Sequence, residues 1–247
     1  MIEDSPAPVA HPGKRYTGAA IDVFFDGPRC IHAAECVRGL PAVFDRSRRP
    51  WVLPDAAPAE ELADVVERCP TGALHYTRHD GGPAEAPDDA NTVGVQAHGP
   101  YYVRGRLRVV TAEGTLLIDD VRLALCRCGQ SQHKPFCDNA HLAAHFRDEG
   151  RLAAAPGTTA GGAAEASPLA NPPANADAAA PEHVELSIKV RKNGPLKLQG
   201  AFALIGAPDA AGEQSIQRTD DAVLCRCGGS GTKPFCDGTH RVNGFQG

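Results

Sequence analysis

The chain has 247 residues, of which 42% are hydrophobic, 22% charged and 5% aromatic, with a net charge of -5. This fits a globular protein but is poor in the large side chains of one big core, so several small modules held by something besides a core are expected. The acidic balance offers no basic footprint for nucleic acid or an anionic membrane, and no segment reaches the roughly 20 apolar residues of a membrane span.

The N-terminus, MIEDSPAPVAHPGK, lacks the apolar stretch of a signal peptide, so a cytoplasmic protein with reduced cysteines is expected. AIDVFF (20–25) reads as a strand, HAAECVRG (32–39) as a short helix and WVL (51–53) as a strand. PAEELADVVERC (58–69) is an amphipathic helix with Pro58 near its start and acids in its first turn. ALHYT (73–77) closes this module, and the polar segment RHDGGPAEAPDDAN (78–91) follows as a linker. Strand-like runs VRGRLRVV (103–110) and TLLID (115–119) precede CRCGQSQHKPFCDNAH. Residues 152–182, dominated by Ala, Pro, Gly and Asn, cannot bury enough apolar surface to order themselves and read as a 31-residue flexible linker. VELSIKV (184–190), with its strand alternation, and LKLQGAFALI (196–205) then precede a turn over 206–215 and CRCGGSGTKPFCDGTH.

Nine cysteines fall into three groups of three: Cys30, Cys36 and Cys69; Cys126, Cys128 and Cys137; Cys225, Cys227 and Cys236. The odd count forbids complete disulfide pairing within one chain, and a Cys-x-Cys disulfide would be strained. Three metal centres are expected. The second and third groups are a repeat: Cys126–His141 and Cys225–His240 match at 11 of 16 positions in the pattern Cys-x-Cys-x8-Cys-x3-His. Upstream, GPYYVRG (99–105) resembles GPLKLQG (194–200) at an offset of 95, against 99 at the cysteines, which places a four-residue insertion in the 206–215 turn. Asp138 and Asp237 read as caps of a short helix carrying His141 and His240 back toward the cysteine loops.

Thiolates suit Fe–S clusters, zinc or copper(I). Cys-x-Cys lets two neighbouring sulfurs bind one iron, while the third Cys and the His, four positions on, bind another. The alternative is structural zinc on three Cys and one His, but zinc fingers bring their ligands as Cys-x2–4-Cys knuckles. Lys134, Lys233, Arg127 and Arg226 either neutralise cluster charge or are ordinary loop residues. Ser131 and Ser230 bond cluster sulfur or stabilise the turn, and His133, opposite Thr232, is a surface residue.

Both windows resemble the CDGSH iron–sulfur domain of the NEET family, through Ser131, Pro135, Cys137, Asp138, Ala140 and His141 in one copy and Ser230, Pro234, Cys236, Asp237, Gly238, Thr239 and His240 in the other. The resemblance implies a 2Fe-2S cluster per copy on Cys126, Cys128, Cys137 and His141, and on Cys225, Cys227, Cys236 and His240. Asn139 stands where the family has Gly; if that position needs positive φ, Asn is among the better substitutes. Family members form dimers of cluster domains, so an intramolecular pseudo-dimer is expected here. A His ligand competes with a proton near neutrality and raises the potential relative to all-Cys ligation, so acid-labile clusters of intermediate potential are expected.

The segment 18–78 resembles divergent single-cluster ferredoxins. Cys30 and Cys36 fit the first and third positions of Cys-x2-Cys-x2-Cys, Ala33 takes the second, and Cys69-Pro70 matches the remote Cys-Pro. Three thiolates imply a 3Fe-4S cluster, or 4Fe-4S if His32 supplies a fourth ligand.

The expected architecture is α+β and multi-domain. A small ferredoxin-like module (18–78) and a linker (79–91) lead into the first CDGSH module (92–148). The linker 152–182 then leads to the second (184–247), both CDGSH modules being β-rich. The expected function is electron transfer with redox partner proteins, as a monomer. The alternatives are cluster storage and transfer or redox and pH sensing, and then a zinc-stabilised interaction protein. No nucleophile–base pair, phosphate loop or dinucleotide fingerprint supports an enzyme.

Overall fold

A computed structural model describes residues 11–152 and 184–247. The expected linker 152–182 therefore lies, apart from Leu152, outside the described residues. The protein is multi-domain and rich in β-structure, with few helices.

In the N-terminal module β1 (Lys14–Tyr16), β2 (Ile21–Phe25) and β3 (Leu74–Arg78) form an antiparallel sheet in that order. Helix α2 (Ala59–Glu67) begins after Pro58, carries Glu60 and Glu61 in its first turn, and buries Leu62, Val65 and Val66. These join Ile21, Val23, Leu74 and Tyr76 in one core. Each such side chain contributes about 1.5–3 kcal/mol by leaving water. The helix expected over 32–39 is shortened to α1 (Glu35–Gly39), because His32 and Ala34 take left-handed φ of 55° and 67° and turn the backbone around the cysteines instead. The expected strand at 51–53 reduces to one bridge between Val52 and Phe44.

The remaining strands form one six-stranded sheet. They are β4 (Thr92–Val95), β5 (Tyr101–Thr111), β6 (Leu116–Leu125), β7 (Leu186–Val190), β8 (Leu196–Ile205) and β9 (Ile216–Leu224). Strands β4 and β7 interleave the two repeats. β4 pairs antiparallel with β5 (Val93 opposite Val103) and parallel with β8 (Val93 opposite Leu204). β7 mirrors this, antiparallel with β8 (Ile188 opposite Leu198) and parallel with β5 (Ile188 opposite Val109). Where β5 and β8 change neighbours, each breaks register at a glycine of left-handed φ, Gly105 (125°) and Gly200 (115°), the closing residues of the repeated GPYYVRG and GPLKLQG. Residues from both copies, among them Val93, Val103, Leu107, Ile188, Leu198 and Leu204, share one core.

A buried charged network joins the N-terminal module to β6. Arg29 Nη1 donates to Asp120 Oδ2 at 2.6 Å, and Arg29 Nη2 to the carbonyl oxygens of Thr71 (2.5 Å) and Arg122 (2.9 Å). Arg122 donates to the carbonyls of Cys69 and Leu74 and pairs with Glu85. His75 sits between Glu85 (2.9 Å) and Asp120 (3.4 Å). Glu85 belongs to the segment 79–91 read as a linker, yet its side chain is buried, because it answers two cations.

Candidate metal centres

The loop of each repeat grows from a strand end. Beyond β6, Cys126 N donates to Pro135 O and Cys137 N to Ala124 O, both at 2.8 Å, so the third cysteine is stitched back beside the first. The second loop repeats this with Cys225 to Pro234 and Cys236 to Val223. Ser131 Oγ donates to Phe136 O and Ser230 Oγ to Phe235 O, each at 2.7 Å, so these hydroxyls brace the turn. Lys134 and Lys233 point inward as well, donating from Nζ to Ser131 O and Ser230 O.

Arg127 and Arg226, between the first two cysteines of each copy, are buried, not solvated. Arg127 donates to the carbonyls of Gly99 and Gln96, pairs with Asp148 and lies over the Tyr101 and Phe146 rings. Arg226 donates to the carbonyls of Gly194, Arg191 and Gly247 beneath Phe245. Each clamps its loop to the start of its own repeat.

Asp138 and Asp237 do not stand at the N-cap position itself. That position is Asn139 (φ 69°) before α3 (Ala140–Ala143), and Gly238 (φ 91°) before a 3-10 turn over Thr239–Arg241. Each aspartate accepts from two amides instead. Asp138 binds Ala140 N and Gln132 N, and Asp237 binds Thr239 N and Gly231 N, which ties the helix start to the cysteine loop. The left-handed backbone explains why Asn can replace Gly at 139.

The eight donor atoms of the repeats fall into four pairs. Cys126 Sγ lies 3.8 Å from Cys128 Sγ, and Cys225 Sγ 3.8 Å from Cys227 Sγ. His141 Nδ1 lies 3.6 Å from Cys137 Sγ, and His240 Nδ1 3.4 Å from Cys236 Sγ. Among the described residues, the set of three His, Cys, Asp or Glu donors drawn within 4.8 Å of one another is His11, His75 and Glu85, none of them in these loops. Backbone amides of Gln130, Asn139 and Gly229 reach the sulfurs of Cys128, Cys137 and Cys227 at 3.4 Å, as thiolates require. Burial pushes the thiols of Cys137 and Cys225 up to about 11, so they ionise when a cation takes the proton's place. Burial first, then the charge of Arg127, holds His141 below its ordinary range, which favours the neutral form that can bind a metal. The donor set thus fits a metal group.

In the N-terminal module Cys30, Cys36 and Cys69 line one cavity with Pro70 and Thr71. Burial raises the Cys36 thiol to about 11. His32 Nδ1 stands 3.8 Å from Cys30 Sγ, and Thr71 Oγ1 3.6 Å from Cys69 Sγ.

Three features were not legible from local pattern. Tyr101 Oη donates to Cys225 O and Pro234 O, both at 3.0 Å, so the first repeat supports the second repeat's loop. Asn139 Nδ2 donates to Ile31 O at 2.5 Å, and Ile31 packs with Ala124 and Cys137. The five-residue charged network joins the modules. Only the repeat hinted at the first two, where Tyr101 faces Leu196 and Asn139 faces Gly238.

Residues 16–79 match the model of a divergent 4Fe-4S mono-cluster family, and residues 98–142 and 193–241 match that of the iron-binding zinc finger of CDGSH type. Over 64 residues, 26% of this chain, it is 44% identical to uncharacterized protein YjdI of Escherichia coli strain K12 and to that of Escherichia coli O157:H7, covering 83% of each. No solved structure gives a significant match. No helix among the described residues is long and apolar enough to cross a membrane.

Proposed function

We propose that this chain, which belongs to the divergent 4Fe-4S mono-cluster family through residues 16–79 and carries two CDGSH-type iron-binding domains, is a multi-centre electron-transfer protein. Two ligands about 2.3 Å (sulfur) and 2.0 Å (nitrogen) from one tetrahedral metal stand about 3.6–3.8 Å apart. Three of the four Cys–Cys and Cys–His pairs have this spacing, and Cys236–His240 is slightly shorter at 3.4 Å, while among the described residues no three donors of a loop lie within 4.8 Å of one another. That supports two irons per loop and a 2Fe-2S group on each set. It counts against one zinc, which would draw all four donors together. In the N-terminal cavity Cys30, Cys36 and Cys69 would hold a cubane-type group. His32, paired with Cys30 at the spacing of two ligands on one metal, is poorly placed to serve a separate iron.

Such groups supply one-electron storage when bound. The chain's residues bury or partly bury the thiolates, direct amides at those of Cys128, Cys137 and Cys227, and hold three sites in sequence. The observation that carries electron transfer is this contiguity. The loop of Cys30 packs on Cys137, and the backbone of Cys128 bridges that of Cys227. The interleaved β4 and β7 support reading the two repeats as an intramolecular pseudo-dimer. We assign the chain no reaction of its own, and its partners would be redox proteins.

A second reading, cluster storage and transfer, draws on the half-exposed His141 and His240, beside buried cysteines in the first loop and partly buried Cys227 and Cys236 in the second. Anaerobic purification with iron, acid-labile sulfide and zinc analysis, followed by EPR during stepwise dithionite reduction, tests both. Two 2Fe-2S signals and one cubane-type signal that reduce reversibly support electron transfer. Delivery of an intact cluster to an apo-ferredoxin faster than redox cycling supports the second reading. Stoichiometric zinc without sulfide refutes both.

A further inference from the structure

The two CDGSH loops share their internal bonding and differ at one position that faces the rest of the protein. In the first loop Asn139 Nδ2 donates to Ile31 O at 2.5 Å, while its own backbone N–H points at Cys137 Sγ at 3.4 Å. Ile31 directly follows Cys30, so a single hydrogen bond closes the gap between a residue adjoining one thiolate and a residue whose amide touches another. Apolar packing surrounds that bond: Ile31, Ala124 and Cys137 form a buried cluster, with Ala33 and Tyr102 against it. In the second loop the equivalent residue is Gly238, at the same left-handed backbone, and a side chain started there would meet nothing within 4 Å. The equivalents of Ala124 and Cys137, which are Val223 and Cys236, instead line an open cleft with Arg191, Lys192 and Arg241.

We propose that Asn139 is a positioning residue that locks the N-terminal cysteine loop onto the first CDGSH loop, so that these two sites act as a coupled pair while the second CDGSH site stays uncoupled from the N-terminal one. The side chain does what glycine cannot: while tolerating positive φ better than most residues with a side chain, it reaches a carbonyl that would otherwise lose a partner on burial. The inference rests on the iron–sulfur reading of the sites, and its test separates the two.

The full chain, loaded with its clusters and reduced with dithionite, is examined by EPR, the two 2Fe-2S signals being assigned with His141→Cys and His240→Cys. Broadening and faster relaxation of the first-site signal are expected, and loss of both effects in Asn139→Gly, which restores the residue the second copy already uses. Cys36→Ser, which disables the N-terminal site, should remove them as well, and decides the matter if Asn139→Gly lowers first-site occupancy. Gly238→Asn should leave both signals unchanged. If all three clusters are present and the first-site signal is indifferent to Asn139→Gly, Asn139 does not couple the sites, and if it is indifferent to Cys36→Ser as well, there is no coupling at all; in either case the cluster assignment stands. If no iron and sulfide are present, the cluster assignment itself fails.

Discussion

Cys128 and Cys227, equivalent residues of the two repeats, pair with each other as an antiparallel bridge. The glycine after each makes this possible. Gly129 (φ 79°) and Gly228 (φ 76°) adopt left-handed backbone, and a Cβ on either would stand 2.6 Å from the carbonyl oxygen of the opposite cysteine. Two cysteine loops meet backbone to backbone, with no room for a side chain between them.

Gly129→Ala should therefore damage both sites at once. Strain at positive φ and a clash with rigid backbone together are expected to cost about 2–4 kcal/mol. Thermal unfolding followed by iron release and visible absorbance would read this as a lower midpoint and parallel loss from both CDGSH sites; loss from one site alone would contradict the shared contact.

Tyr101→Phe removes only the hydroxyl that serves Cys225 O and Pro234 O. Tyr101 is fully buried, so the two carbonyls lose a partner without gaining water, at a cost of about 1–3 kcal/mol. Although the substitution lies in the first repeat, the second site should lose iron sooner on exposure to a chelator. Equal loss at both sites would mean a general packing defect.

On the proposed ligand set, His141→Cys and His240→Cys each exchange a neutral ligand for a thiolate. The potential of the altered site is expected to fall by on the order of 100 mV. The wild-type His141, held below its ordinary range by burial and by Arg127, binds fewer protons folded than unfolded. Its contribution to stability is thus present above about pH 6.5 and is lost as pH falls below that value. Visible absorbance during acidification should show the wild-type first site bleaching while the cysteine variant persists to lower pH.

His75 makes the junction between modules sensitive in the opposite direction. Burial works against its charge, but Asp120 and Glu85 outweigh that and raise its pKa to about 9, with His11, Arg29 and Arg122 completing the surroundings. Asp120 is correspondingly held down at about 2. A raised histidine stabilises fully below about pH 6.5 and ceases to do so as pH rises through about 9, a difference of up to about 3 kcal/mol. Thermal midpoints measured from pH 6 to 10 should fall across that window, and His75→Gln should flatten the slope.

Much of the site was readable because metal binding leaves a one-dimensional trace. Thiolates that share an iron must be close, so Cys-x-Cys and Cys-x3-His place donors within one turn of chain, and the 11-of-16 repeat shows the arrangement used twice. Strand runs such as 196–205 were equally plain, since a half-buried strand alternates. Strands β4 and β9 were missed. Thr92–Val95 is four residues long and gains its order from two neighbours in different repeats, and β9 carries a largely polar, exposed run in IQRTDDA.

The sequence by itself determined the three cysteine groups and the tandem loops, because each depends on residues close in the chain, while the left-handed backbone at 139 and 238 came from the structure. Tertiary structure alone decided which module touches which site. Asn139 meets Ile31 across 108 positions, Tyr101 meets Cys225 across 124, and Arg29 meets Asp120 across 91. No local pattern encodes such contacts. They arise when β4 and β7 interleave the repeats and the buried charges of the N-terminal module find partners on β6, since an unpaired buried charge is too costly to leave.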